Sequence, residues 1–171
     1  GAQGQAPAYR CRPTLYYATT TPLGQAALKT QERRPEGARI GVVGQGAGAM
    51  AAYKRQQDQL TFFEIDPAVA RLASDSRYFT FLSQASAPPR LVLGDARLSL
   101  AREPAGRFGL IMLDAFSSDA IPLHLLTVEA MRLYLNRLTP DGLLFAHVSN
   151  RFLDLVPELG RCAAALGLVG R

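Results

Sequence analysis

From residue 39 onward, short apolar runs alternate with stretches whose apolar residues recur at helical spacing, the pattern of βαβ units around a parallel sheet. The first strand is predicted over 39–44, RIGVVG, and runs into closely spaced glycines followed by the helix-compatible AMAAYKR. LTFFEI, 60–65, reads as the second strand. Asp66 then suits an N-cap, and Pro67 suits the first helical position, where a missing N–H leaves nothing unpaired. Beyond a loop with Pro88 and Pro89, RLVLG (90–94) is the third strand and ARLSLARE a short helix closed by Pro104. FGLIMLD, 108–114, is apolar without a break, as a strand buried on both faces must be. Thr127 caps a helix whose Val128, Met131, Leu135 and Leu138 share one stripe. A turn at Pro140, Asp141 and Gly142 leads into GLLFAHV, 142–148, the fifth strand, and Pro157 and Gly167 bracket a final helix.

Residues 1–38 read differently. CRPTLYYATT and GQAALKTQ are β-rich and join around Pro22, Leu23 and Gly24, which predicts an N-terminal β-hairpin extension ahead of one Rossmann-like α/β domain over 39–171. That domain is expected to hold a mostly parallel sheet with helices on both faces. Five strands fall short of the usual number, so the fold is read as C-terminally truncated.

Composition narrows this picture. A chain of 171 residues with 48% hydrophobic content has room for one domain and a core without disulfides or metals. Cys11 and Cys162 lie near opposite ends, which excludes a disulfide framework or a CxxC site and leaves at most one long-range bridge. No apolar run reaches the ~18 residues of a bilayer span, and the first residues lack an apolar stretch behind their charges. A cytoplasmic location is expected, without membrane contact in this chain itself, either alone or as the cytosolic domain of a larger membrane protein. The +5 net charge comes from scattered arginines, and the densest stretch, 31–39, has glutamates interleaved, so nucleic acid is not the expected partner.

The candidate chemistry is acidic. Gly44, Gly46 and Gly48 stand between a strand and the following segment, where missing Cβ atoms allow a tight turn and close approach of a ligand. Glu64, about twenty residues later at the end of strand two, stands where a carboxylate can accept from both ribose hydroxyls. The pair points to an adenosine-containing ligand; the plainer alternative is a glycine turn and an exposed glutamate. Asp95 and Asp114 end strands three and four, with Asp119 close behind, and a doubly wound sheet delivers all of these ends to one rim. Asp95 can equally be only the N-cap of its helix, and Asp66 is better read as a cap. Acids converging in a basic chain suit a cationic ligand. His124 and His147 lack metal-ligand spacing, no GxSxG elbow or P-loop lysine is present, and no metal is expected. His147 ends strand five at the rim of Asp114, either within reach of a substrate or as a satisfied structural histidine. Ser149 and Asn150 read as caps of the loop before the last helix.

In that order and spacing, VVGQGAG, FFEIDP, LVLGDAR and LDAFSSDAIPLHLLT resemble the polyamine aminopropyltransferases, spermidine synthase and its relatives, over nearly the whole chain. DAFSSDAIP and HVSNRFLDL are closest to the spermidine-synthase-like domains of bacteria that are often fused to membrane segments. The resemblance implies a class I methyltransferase fold, a cofactor that is decarboxylated S-adenosylmethionine or S-adenosylmethionine, a polyamine substrate, and assembly as a homodimer. Carried over by position, Gly44, Gln45, Gly46, Gly48, Glu64, Ile65, Asp95 and Ala96 would hold the cofactor, with Glu64 on the ribose and Asp95 on the adenine amino group. Asp114 matches the catalytic aspartate that orients the attacking amine and helps to remove its proton. Tyr17, Asp119 and His147 would join it around the substrate; Tyr16 lies beside the tyrosine position and Gln3 matches an early glutamine. The first loop departs from the family's GGGDGG, with Gln45 for a glycine and Ala47 for the aspartate, so an anionic contact to the aminopropyl amine is missing. Three readings follow: aminopropyl transfer to a polyamine with release of methylthioadenosine, methyl transfer, or a non-catalytic module that binds cofactor or polyamine.

Overall fold

The computed structural model describes residues 12–115, 122–148 and 154–168. Five parallel strands, β1 (Arg39–Val43), β2 (Gln59–Glu64), β3 (Arg90–Leu93), β4 (Phe108–Leu113) and β5 (Leu138–Ala146), form one sheet in the order β3-β2-β1-β4-β5. The order reverses between β1 and β4, and in sheets of this kind the crevice outside the carboxyl ends opens there.

Alternation along the strands divides the core. Val43, Phe63, Ile111 and Leu113 point to one face and pack with Leu100, Met131, Tyr134 and Cys162. Ile40, Val42, Leu60, Phe62, Leu110 and Met112 point to the other and pack with Leu23, Met50 and Tyr53. All six residues of β4 are buried, as its unbroken apolar run requires. Each fully buried Phe, Leu or Ile contributes roughly 1.5–3 kcal/mol relative to exposure. On the first face lie α3 (Ala96–Ala101), α4 (Val128–Arg137) and α5 (Val156–Ala165). The predicted caps form: Asp66 accepts from Ala68 N at the head of α2 (Pro67–Ser74), Asp95 from Leu98 N, and Thr127 from Ala130 N.

Among the described residues of this segment, from 12 onward, the expected hairpin is not there. Pro22–Glu32 is a helix, α1, capped by the Thr21 side chain on Gly24 N, and its Leu23, Ala27, Thr30 and Gln31 are buried at helical spacing. Gly24 is small because of packing, not because of a turn: a Cβ there would lie 2.3 Å from Ala18 O and 2.5 Å from Tyr53 Oη. Before it, Leu15–Tyr17 makes a single 3₁₀ turn. Two smaller expectations also change. The segment after the glycines forms only a 3₁₀ turn, Ala49–Tyr53, because the Tyr53 carbonyl accepts from Gln31 Nε2 at 2.6 Å and Lys54 is extended. The Pro140–Gly142 turn is an irregularity inside β5, between the pairs Phe108–Leu138 and Leu110–Leu143. Arg34 fastens it, bonding Thr139 Oγ1 at 2.7 Å and Asp141 Oδ1 at 2.5 Å.

Asp58 ties α1 to the start of β1. Its fully buried carboxylate accepts from Ala38 N (2.8 Å), Gln31 Nε2 (2.8 Å), Arg55 N (3.0 Å) and the Arg55 guanidinium. Burial works to raise its pKa, but these donors outweigh it and hold the carboxyl below its ordinary range.

Candidate active site

The strand pairings are flush at their carboxyl ends, with Val43 beside both Phe63 and Leu113, and Leu113 beside Ala146. The ladder then runs one residue further. Gly44 N donates to Phe63 O, Gly94 N to Glu64 O, Asp114 N to Val43 O and His147 N to Leu113 O, all at 2.8–2.9 Å. These bonds put Gly44, Glu64, Asp95, Asp114 and His147 along one edge.

After β1 the chain turns through Gly44 (φ +88°), Gly46 (φ +51°) and Gly48 (φ +78°), a left-handed path that side chains resist. Gly44 lies against the backbone of Asp114, whereas the space where a Cβ of Gly46 would stand is open. Glu64 holds this loop. Its Oε2 accepts from Gln45 N at 2.8 Å and its Oε1 from Asp66 N at 2.9 Å, one bond per oxygen, which leaves each oxygen a second acceptor direction. Ala47 flanks the turn and packs against the second core face. The Gln45 side chain is buried, and its Oε1 has no partner among the described residues.

Gly44, Glu64, Ile65, Asp95 and Ala96 line a cavity of about 270 Å³ closed from the other side by Pro122, His124 and Leu125. Asp95 performs two tasks at its mouth. Oδ1 caps α3, and Oδ2 meets His124 Nε2 at 2.8 Å. Burial works to raise the Asp95 pKa, but the Leu98 N–H and His124 outweigh it and keep the carboxyl below its usual range.

The Asp114 side chain is enclosed, with 3% of it exposed. Oδ2 accepts from the Tyr17 hydroxyl and Oδ1 lies 2.8 Å from His147 Nδ1. Burial first, and the Asp114 charge second, push the Tyr17 pKa far above that of an ordinary phenol, so this hydroxyl remains a donor. The Tyr17 carbonyl accepts from Tyr53 Oη at 2.6 Å. Tyr16 stacks on His147, ring centroids 4.2 Å apart at 22°, and its own pKa is raised by burial and by Asp114.

Of the residues expected at the site, Gly44, Glu64, Ile65, Asp95 and Ala96 line one cavity, Gln45, Gly46 and Gly48 follow in the turn after β1 without lining it, and Tyr17, Asp114 and His147 form one hydrogen-bonded network. Asp119, Gln3, Ser149 and Asn150 lie outside the described residues. The Asp95–His124 pair was not foreseen; 29 residues separate the two, and no local motif signals it. Among the described residues no group of three His, Cys, Asp or Glu is placed to hold a metal ion, and no helix is long and apolar enough to cross a membrane.

No family model matches the chain. A polyamine aminopropyltransferase from Vibrio vulnificus (strain CMCP6) is 33% identical over 118 residues, 66% of this chain and 38% of that protein. The chain thus spans well under half the length of this curated relative. A probable spermidine synthase from Corynebacterium glutamicum ATCC 13032 superposes with a TM-score of 0.58 at 23% identity, covering 72% of this chain and 46% of that one. Human methyltransferase-like protein 13, solved in complex with SAH, superposes with a TM-score of 0.60 at 22% identity, covering 83% and 68%. The resemblance read from the sequence holds: the chain is a homologue of a polyamine aminopropyltransferase, and its fold is the Rossmann-like one of the spermidine synthases and S-adenosylmethionine-dependent methyltransferases.

Proposed function

We propose that this homologue of the polyamine aminopropyltransferases is the cofactor-binding part of a transferase that moves an aminopropyl group from decarboxylated S-adenosylmethionine to a polyamine amine, releasing methylthioadenosine. The observation that carries the reading is the position of Asp114 at the end of β4, beside the glycine loop of β1 and bonded by Tyr17. The residues present fit an adenosyl sulfonium. The cavity has carboxylates at Glu64 and Asp95, the loop is open at Gly46, and Gln45 has a buried oxygen in need of a donor.

In this reading Glu64 accepts from the ribose hydroxyls with the acceptor directions that the loop leaves free, and Asp95 accepts from the adenine amino group. When bound, the sulfonium group supplies an electrophilic carbon and a good leaving group. Asp114 draws the acceptor ammonium into the crevice by its charge and favours loss of the proton that blocks the nitrogen lone pair. Holding the amine in line with the carbon accounts for most of the rate. The test is to supply decarboxylated S-adenosylmethionine with putrescine and longer diamines and to measure methylthioadenosine. No release with any of them overturns the proposal.

Ala47 favours a second reading. It stands where the relatives' loop carries an aspartate, so nothing there selects the cofactor that lacks a carboxylate. Intact S-adenosylmethionine then fits, and the reaction is methyl transfer. Formation of S-adenosylhomocysteine in place of methylthioadenosine decides for it.

A further inference from the structure

We infer that His147 is the base that takes the proton from the acceptor amine, and that Asp114 acts through it as a positioning residue. The inference rests on the transferase reading above but assigns the proton to a different atom. Asp114 offers a substrate little access: its side chain is 3% exposed, and the two oxygens already accept from or face Tyr17 at Oδ2 and His147 at Oδ1, so any remaining acceptor direction is shut in behind them. An ionised carboxylate has no proton to give, so the 2.8 Å contact to Nδ1 requires that Nδ1 carry the hydrogen. A neutral imidazole protonated at Nδ1 keeps its lone pair on Nε2. That nitrogen bonds no other group among the described residues, and the ring, 13% exposed, is the more open member of the pair. Its orientation is fixed from three sides, by Asp114 at Nδ1, by the stacked ring of Tyr16, and by the bond from its own N–H to Leu113 O. Among the described residues, the titratable groups around the ring are Asp114 from the end of β4 and Tyr16 from the 3₁₀ turn, with Tyr17 acting from the far side of Asp114. A base hydrogen-bonded to a buried carboxylate gains stability as the cation that forms when it accepts a proton.

The acceptor ammonium gives one proton to Nε2 of His147. The freed nitrogen lone pair then forms the new C–N bond as the C–S bond breaks and its electron pair stays on sulfur. The imidazolium returns its proton to water, so one proton is released per turnover.

The chain has two histidines, so their ring nitrogens can be told apart by ¹⁵N NMR with a His124→Gln variant as the assignment control. In the ligand-free protein the expected signature is His147 protonated at Nδ1 and not at Nε2, and an altered pattern in Asp114→Asn. A proton on Nε2 in the wild type overturns the inference whatever the activity. With decarboxylated S-adenosylmethionine and putrescine, His147→Gln is expected to lose roughly 10²–10⁴-fold in kcat with little change in KM for the cofactor. His147→Ala is expected to regain part of that loss in added imidazole. Wild-type turnover with His147→Gln at full rate overturns the assignment to His147 alone; no wild-type turnover overturns the transferase reading and this inference with it.

Discussion

Gly44 and Asp114 meet through their backbones: a Cβ at residue 44 would lie 2.6 Å from the Asp114 carbonyl oxygen and 3.1 Å from its carbonyl carbon. Neither backbone can yield easily, because each residue is also the donor of a ladder bond, Gly44 N to Phe63 O and Asp114 N to Val43 O. The turn proposed to receive a cofactor and the aspartate proposed to serve the acceptor are thus one packed unit.

Gly44→Ala is therefore expected to cost roughly 2–4 kcal/mol, the sum of a left-handed side chain and a displaced strand end. Gly46→Ala, where nothing stands within 4 Å, is expected to cost only about 1 kcal/mol for its backbone conformation. Urea unfolding of the two variants checks the difference. Equal losses would mean that the close approach at Gly44 is not a constraint.

Asp58 makes stability fall on the acid side. A carboxyl whose folded pKa is depressed contributes stability that is present above its unfolded value, near 3.9, and lost as the pH falls through the folded value. Melting temperature measured from pH 6 down to pH 2 should drop through that range. Asp58→Asn is expected to flatten this dependence and to cost about 2–4 kcal/mol at pH 7, since Arg55 and the Ala38 N–H lose their charged partner.

Asp114→Asn keeps the shape of the side chain and removes its charge. Turnover is expected to fall by 10² or more while cofactor binding changes little, because in the proposed reaction the residue acts on the acceptor side, through His147, and not on the adenosine. Calorimetric titration of the cofactor beside a steady-state assay separates the two. Parallel collapse of binding and turnover would sink this division of labour.

Leu15 has φ of +56° and is 60% exposed, so it bears the strain of a left-handed residue without burial in return. Asparagine tolerates that region better. Leu15→Asn is expected to raise stability by up to about 1 kcal/mol, read as a higher denaturation midpoint at an unchanged slope.

Much of this was legible from local pattern. Unbroken apolar runs located β2, β3 and β4, and the interval from Gly44 to Glu64 placed the cavity that both residues line, because strand period and turn chemistry act within a few residues. Gly24 misled for the same reason. Seen alone after Pro22, it reads as a turn; its cause is the Tyr53 hydroxyl and the Ala18 carbonyl packed against the helix, and Tyr53 lies far along the chain. The bonds of Tyr17 and His147 to Asp114 span 97 and 33 residues. No spacing rule reaches so far; only the flush ends of β4 and β5 and the packing of the 3₁₀ turn bring them together.

The bond from Tyr53 Oη to the Tyr17 carbonyl works as a hinge pin between two parts that have separate tasks. On one side Tyr53 closes the short turn that springs directly from Gly48. On the other, Tyr17 grips the carboxylate of Asp114. Loss of the Tyr53 hydroxyl would therefore release both parts together, the short turn after the glycines and the tyrosine that holds Asp114. The Tyr53 hydroxyl fits only because Gly24 has no Cβ, so one small residue on α1 underlies both attachments.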